Sequence, residues 1–179
     1  MSRLRSACWP DLRSGGAGRK IWKTLARNNK IKIVSGGQTG VDRAALDVAF
    51  EFGLSCGGHC PKGRVAEDGP IADKYPLQET PTADFAQRTE WNVRDSDGTL
   101  ILTPGKPTGG TALSVEFARI LGRPCLVVDL GLPVNTDAVN RWLAANRIQT
   151  LNIAGPKASE SPHAYDLAVA TLRKLFRGM

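Results

Sequence analysis

From residue 31 onward, short continuous apolar runs alternate with stretches in which apolar residues recur every three to four positions. The first kind of run suits strands buried on both faces and the second suits amphipathic helices. Residues 31–35 read as a strand. Val41, Ala44, Ala45, Val48 and Phe52 then share one helical face, and Gly53 stands where a C-cap glycine belongs. Thr39, three residues before Asp42, resembles a capping pair at the start of that helix. Further strands are expected at 54–58, 75–79, 98–103, 125–130 and 150–154. Helices are expected over 84–93, from 109 to Gly122, over 136–146 and over 163–176. In the second of these, Leu113, Phe117, Ile120 and Leu121 lie on one side. Residues 155–162 read as a linker. The repeated strand–helix order predicts an α/β fold: a single Rossmann-like, doubly wound, mainly parallel sheet with helices on both faces.

Two strand-to-helix junctions in this pattern are rich in glycine. Ser35-Gly36-Gly37-Gln38-Thr39-Gly40-Val41-Asp42 follows the first strand, and Thr108-Gly109-Gly110-Thr111 follows the strand at 98–103. Such a turn aims backbone N–H groups and the positive end of a helix at one spot, which suits an anion and most often a phosphate. The first has neither the G-x-G-x-x-G spacing nor the Lys-Ser/Thr of a P-loop, so it names no particular nucleotide. Ligands on doubly wound sheets bind outside the carboxyl ends of the strands. Both turns lie on that edge, where they could hold two parts of one phosphorylated ligand. Gln38 and Thr39 add side-chain donors at the first turn. The polar loop at 60–75 carries Lys62 and Arg64, two cations that could reach an anion or simply face water. Asp42 and Glu116 are the carboxylates of the two helices. Each is either a cap-like anion or, in the sharper reading, a general base or a ribose ligand.

Charge and cysteines narrow the partners. The net charge is +7, and residues 1–30 hold eight Lys/Arg against a single acid, Asp11. The other 149 residues are balanced, with 16 bases and 16 acids. A neutral body with no basic stripe argues against a nucleic-acid-binding domain. Residues 1–30 read as a basic, disordered extension preceding a domain at 31–179; a transit peptide or an unused upstream start are the rival readings. No apolar run approaches a membrane span and no secretory h-region is seen, so a reducing, cytoplasmic setting is expected. Cys56-Gly57-Gly58-His59-Cys60 looks like a metal clip, but a closed zinc site needs four ligands, and Cys8, Cys125 and His163 lie in unrelated segments. No metal site is expected.

Together these blocks resemble the molybdenum carrier family: 36–47, then Pro61-Lys62-Gly63-Arg64 with Glu67-Asp68-Gly69, Glu79-Thr80, Arg88-Thr89, Asn92-Val93, 95–99, and Gly109-Gly110-Thr111. That family is related to molybdenum cofactor carrier proteins. It falls in the SLOG group of Rossmann-like nucleotide-binding proteins, which also contains the lysine-decarboxylase-like phosphoribohydrolases. The resemblance covers about residues 31–176. It implies a homo-oligomeric, non-enzymatic protein that binds molybdenum cofactor, a pterin (molybdopterin) with a terminal phosphate and a molybdenum oxo-anion. The binding set it implies is Gly36, Gly37, Gln38, Thr39, Gly40, Asp42, Arg43, Lys62, Arg64, Arg88, Gly109, Gly110 and Thr111.

The phosphoribohydrolases of the same group supply the alternative, an enzyme acting on nucleoside monophosphates with Arg88 and Glu116 as catalytic residues. Their Pro-Gly-Gly-x-Gly-Thr-x-x-Glu motif is broken here. Pro104-Gly105 is separated from Gly109, and Glu116 follows Thr111 by five positions instead of three. General acid–base work needs hydrogen-bond reach, so the displacement favours a binding protein.

Overall fold

The computed structural model describes residues 31–177; the basic segment expected as an N-terminal extension lies outside them. In chain order the elements are β1 (Lys32–Val34), α1 (Val41–Glu51), β2 (Ser55–Cys60), β3 (Val65–Ala66), β4 (Gly69–Pro70), β5 (Leu77–Glu79), α2 (Phe85–Arg94), β6 (Gly98–Thr103), α3 (Gly109–Ile120), β7 (Cys125–Asp129), α4 (Thr136–Ala145), β8 (Thr150–Ala154) and α5 (Ala164–Arg177). Six strands form one sheet in the order β5-β2-β1-β8-β6-β7, and every pairing in it is parallel. The α/β, doubly wound expectation therefore holds.

The strand order carries one feature invisible in the pattern. β8 lies between β1 and β6, pairing with Lys32–Val34 on one side and with Gly98–Ile101 on the other. Read from β8, the strands step outward through β1, β2 and β5 on one side and through β6 and β7 on the other. That is the winding of a Rossmann-like sheet, with its switch point between β8 and β6. In the sequence, β8 and α5 follow all the other elements.

The two faces differ in substance. One is aliphatic: Ile33, Leu100, Leu151 and Ile153 of the sheet pack with Val48 of α1, Leu143 of α4 and Leu172 of α5. On the other face α2 packs beside α3, and many of the buried side chains are small and polar: Thr89, Asn92, Thr111 and Ser114 on the helices, beside Val93 and Ala118, with Thr99 and Asn152 in the strands. Asn152 Nδ2 donates to Thr99 Oγ1 at 3.3 Å. The apolar side legible in the sequence is not the inward side of α3. Its inward residues are Thr111, Ser114 and Ala118, while Ile120 is 61% exposed and Leu121 is also exposed.

Three smaller expectations also change. β2 runs on to Cys60, which is buried. The loop expected at 60–75 contains the two-stranded antiparallel hairpin β3–β4, with Glu67 and Asp68 at its tip. Finally, Thr39 does not cap α1. Gly40 is the N-cap, with no side-chain cap bond, and Thr39 Oγ1 instead accepts from Ala158 N at 3.0 Å.

Candidate functional site

A cleft of about 220 Å³ opens at the carboxyl ends of the central strands, beside the switch point. β8 contributes Ala154, Gly155, Lys157 and Glu160 through the segment that follows it. The β1–α1 turn contributes Gln38 and Asp42, the start of α3 contributes Gly110, Thr111 and Ser114, and α2 lends Phe85, Arg88 and Thr89. Three loops therefore meet here, and the third, after β8, is the segment that reads as a linker in the sequence.

The floor is an ion pair. Arg88 Nη1 donates to Asp42 Oδ2 at 3.0 Å, and the two side chains are 14% and 2% exposed. Burial holds the Asp42 carboxyl above its ordinary range, and the Arg88 guanidinium opposes that rise only in part. Gly36 makes the pair possible. A Cβ there would stand 2.0 Å from Arg88 Nη1 and 2.8 Å from Asp42 Oδ2. Asp42 Oδ1, Arg88 Nε and Thr111 Oγ1 are buried atoms without a hydrogen-bond partner, and all three belong to residues lining the cleft. Buried polar groups are normally satisfied, so three orphans at one cleft mark a place built for something polar.

The wall opposite the floor is the amino end of α3. Its N-cap, Thr108, makes no side-chain cap bond, so the first-turn amides are left for another partner. A Cβ at Gly110 would meet nothing within 4 Å, whereas Gly109 has φ +49° and lies beside the Glu160 carboxylate.

Of the residues singled out in the sequence, Gln38, Asp42, Arg88, Gly110 and Thr111 line the cleft. Gly36 supports it, as above. The others have structural partners. Gly37, at φ +73°, approaches Leu77 and Ile71, and its carbonyl accepts from Arg43 Nε. Gly40, at φ +74°, approaches the Pro156 carbonyl where no Cβ would fit. Arg43 grips Asp68 with two bonds of 3.2 Å. Arg64 donates to the carbonyls of Ile71, Ala72, Tyr75 and Leu77 and thereby fastens its loop. Lys62 is exposed, and its backbone N–H donates to Thr82. Glu116 is on the outer surface, paired with Arg119 at 2.5 Å, and does not line the cleft. Lys157, Glu160, Ser114 and Phe85 escaped the sequence reading. For the first two a signal was present: Gly155-Pro156-Lys157 is a third glycine-bearing turn directly after a strand.

Comparison with known proteins follows the same lines. Residues 33–176 match the Circularly permutated YpsA SLOG family. A crystal structure of a candidate molybdenum carrier protein from Syntrophus aciditrophicus is 48% identical, covers 82% of this chain and 95% of its own, and superposes with a TM-score of 0.78. An (E)-4-hydroxy-3-methyl-but-2-enyl diphosphate reductase, 10% identical over 88% of this chain and 64% of its own, has a TM-score of 0.36 and carries no argument. No curated protein sequence matches.

Proposed function

The chain belongs to the Circularly permutated YpsA SLOG family, and from that premise we propose that it is a carrier for a small anionic ligand, a phosphorylated pterin such as molybdopterin or a related nucleotide. The Syntrophus protein, described as a candidate molybdenum carrier, supports the carrier role. The observation that carries the reading is the trio of orphaned buried atoms at the cleft beside the uncapped start of α3. An anionic group fits the first-turn amides of α3, with Lys157, which also lines the cleft and whose ammonium stands 3.6 Å from Glu67, as its cation. The heterocycle then lies along Phe85, Ala86 and Leu113. In this reading Gln38, Asp42, Arg88, Gly110, Thr111 and Lys157 form the binding set, and Lys62, Arg64 and Glu116 stand outside it.

Gly110→Val tests the reading. The open space at that position lets the side chain fit without disturbing the fold while it fills the mouth of the cleft. Small molecules released from the purified protein are identified by mass spectrometry and titrated back by calorimetry. Binding is lost in the variant while its melting temperature is kept. Equal affinity in both proteins would place the ligand elsewhere.

One observation favours a second reading. Glu160 puts a carboxylate in the cleft, which a phosphoribohydrolase needs for proton transfer at a glycosidic bond. Release of free base from nucleoside monophosphates by the wild type, lost in Glu160→Gln, would replace the carrier with the enzyme.

A subunit contact is also part of the proposal. Ile120, Val127 and Leu132 are 61%, 42% and 64% exposed on α3, the edge strand β7 and the turn that follows it. β7 has none of the lysines, prolines or bulges that usually blunt an edge. A second copy of the chain covers this apolar surface.

A further inference from the structure

Glu67 has no place in the cleft, yet it ties together the segments that form it. Its two carboxylate oxygens accept from the Thr39 hydroxyl, from Ser159 N at 3.0 Å and from Ser159 Oγ at 2.5 Å, and Lys157 Nζ stands 3.6 Å away. Its own N–H donates to Gln38 Oε1 at 3.0 Å, the atom that also accepts from Thr39 N. Thr39 Oγ1 in turn accepts from Ala158 N. The successive amides of Ala158 and Ser159 are thus both satisfied through this one residue and its nearest partner. The same oxygens face one cation, Lys157. Burial alone would raise the Glu67 carboxyl, but the hydrogen bonds from Ser159 and Thr39 and the nearby Lys157 bring it down to about 2.

The tip of a hairpin with two-residue strands has little stability of its own. Here it is fixed at two points, Arg43–Asp68 on the flank and Glu67 at the crossing. Only the second reaches residues that line the cleft: Gln38 after β1 and Lys157 after β8.

We propose that Glu67 is a positioning residue of the cleft: it pins segment 156–160 to the start of α1 and so presents the Lys157 ammonium to the anion. The proposal rests on the anion-binding reading of the cleft for its consequence, though not for the latch itself. Gln in place of Glu67 keeps the shape but turns an NH₂ group toward donors, and it removes the charge opposite Lys157.

The latch is read without any ligand, by amide hydrogen exchange in the full chain. In Glu67→Gln the amide of Ser159 exchanges about 10- to 100-fold faster, the range expected for losing a hydrogen bond to a charged acceptor, and the amide of Ala158, held by the Thr39 hydroxyl that Glu67 fixes, loosens with it. Asp68→Asn, which loosens the hairpin from Arg43 alone, leaves those two amides protected. Unchanged exchange in Glu67→Gln, or equal loosening in Asp68→Asn, overturns the latch. The consequence is read by titrating inorganic phosphate into ¹⁵N-labelled protein. Glu67→Gln weakens phosphate binding about tenfold. Adding Lys157→Gln to that variant weakens it little further, because both changes remove the same contact. Faster exchange with undiminished phosphate affinity overturns the positioning role. A wild type that binds no phosphate defeats the anion-cleft reading itself, while the exchange result still decides the latch.

Discussion

Gly36→Ala is the substitution with the sharpest consequence. Gly36 is not in the left-handed region, so alanine brings no backbone strain and its effect is one of space alone. The new Cβ would stand 2.0 Å from Arg88 Nη1 and 2.6 Å from Arg88 Cζ. A guanidinium on a long side chain can retreat, but retreat breaks the bond to Asp42, which is 2% exposed. Leaving one member of a buried pair without its partner costs about 3–5 kcal/mol. Burial already favours the neutral Asp42 carboxyl, so it can shed its charge by protonation, which places the loss near the low end, about 3 kcal/mol. With a urea m-value of about 2 kcal/mol/M, the unfolding midpoint falls by about 1.5 M. The pH dependence identifies the cause. The Asp42 pKa is already raised in the fold, so its stabilising contribution is fully present below 3.8 and is lost as pH rises through the folded value. Without Arg88 that folded value moves higher still, and additional stability is lost between the old value and the new one. The deficit of the variant therefore grows from acid toward neutral pH. Equilibrium unfolding at pH 5 and pH 8 measures it. A deficit under about 1 kcal/mol, or one equal at both pH values, would refute the reasoning.

Three other substitutions probe the remaining assignments. Arg64→Ala orphans four loop carbonyls and lowers stability by about 2–4 kcal/mol, with new proteolytic cuts between residues 61 and 80; an unchanged melting temperature would return Arg64 to the role of a free cation. Glu116→Gln, on the surface beside Arg119, leaves melting temperature, ligand affinity and any turnover as they are, and a lost activity in that assay would restore it as a catalytic residue. Ile120→Glu places a charge on the exposed apolar face, and light scattering after size exclusion then gives the monomer mass; a wild type already monomeric would remove the proposed contact.

The order and type of the main elements could be read from the sequence because period-3.6 recurrence and continuous apolar runs each answer to a local geometry. β3 and β4 could not, since two-residue strands leave no period. The inward side of α3 is not legible for a different reason. Leu113, Phe117 and Ile120 do recur at helical spacing, but the residues this helix buries are small, Thr111, Ser114 and Ala118, and a pattern of large apolar side chains does not reveal them. Arg43 and Arg64 show what sequence conveys about a cation and what it withholds: the charge is visible, whereas the carbonyls and carboxylates it meets come from residues 6 to 25 positions away. Asp42 and Arg88 lie 46 residues apart and were both singled out, yet their pairing needed the fold. Lys157 and Glu160 stand in a segment after β8 whose sequence, with Pro156 and Pro162, reads as a simple connection.

The late place of β8 in the sequence also bears on how the ribosome delivers this molecule. Once β7 has emerged, the nascent chain holds two separate half-sheets, β5-β2-β1 and β6-β7, with no strand to join them. β1 and β6 then offer open parallel edges, and the aliphatic face beside them has no α5 to cover it. Such edges invite association with other chains. Closure comes in one step, when Thr150–Ala154 inserts between them and pairs on both sides at once. Gly155 and Lys157 arrive with it, so the cleft is completed by the same event that makes the sheet whole. A nascent chain stalled before β8 carries the first two glycine turns and no pocket between them.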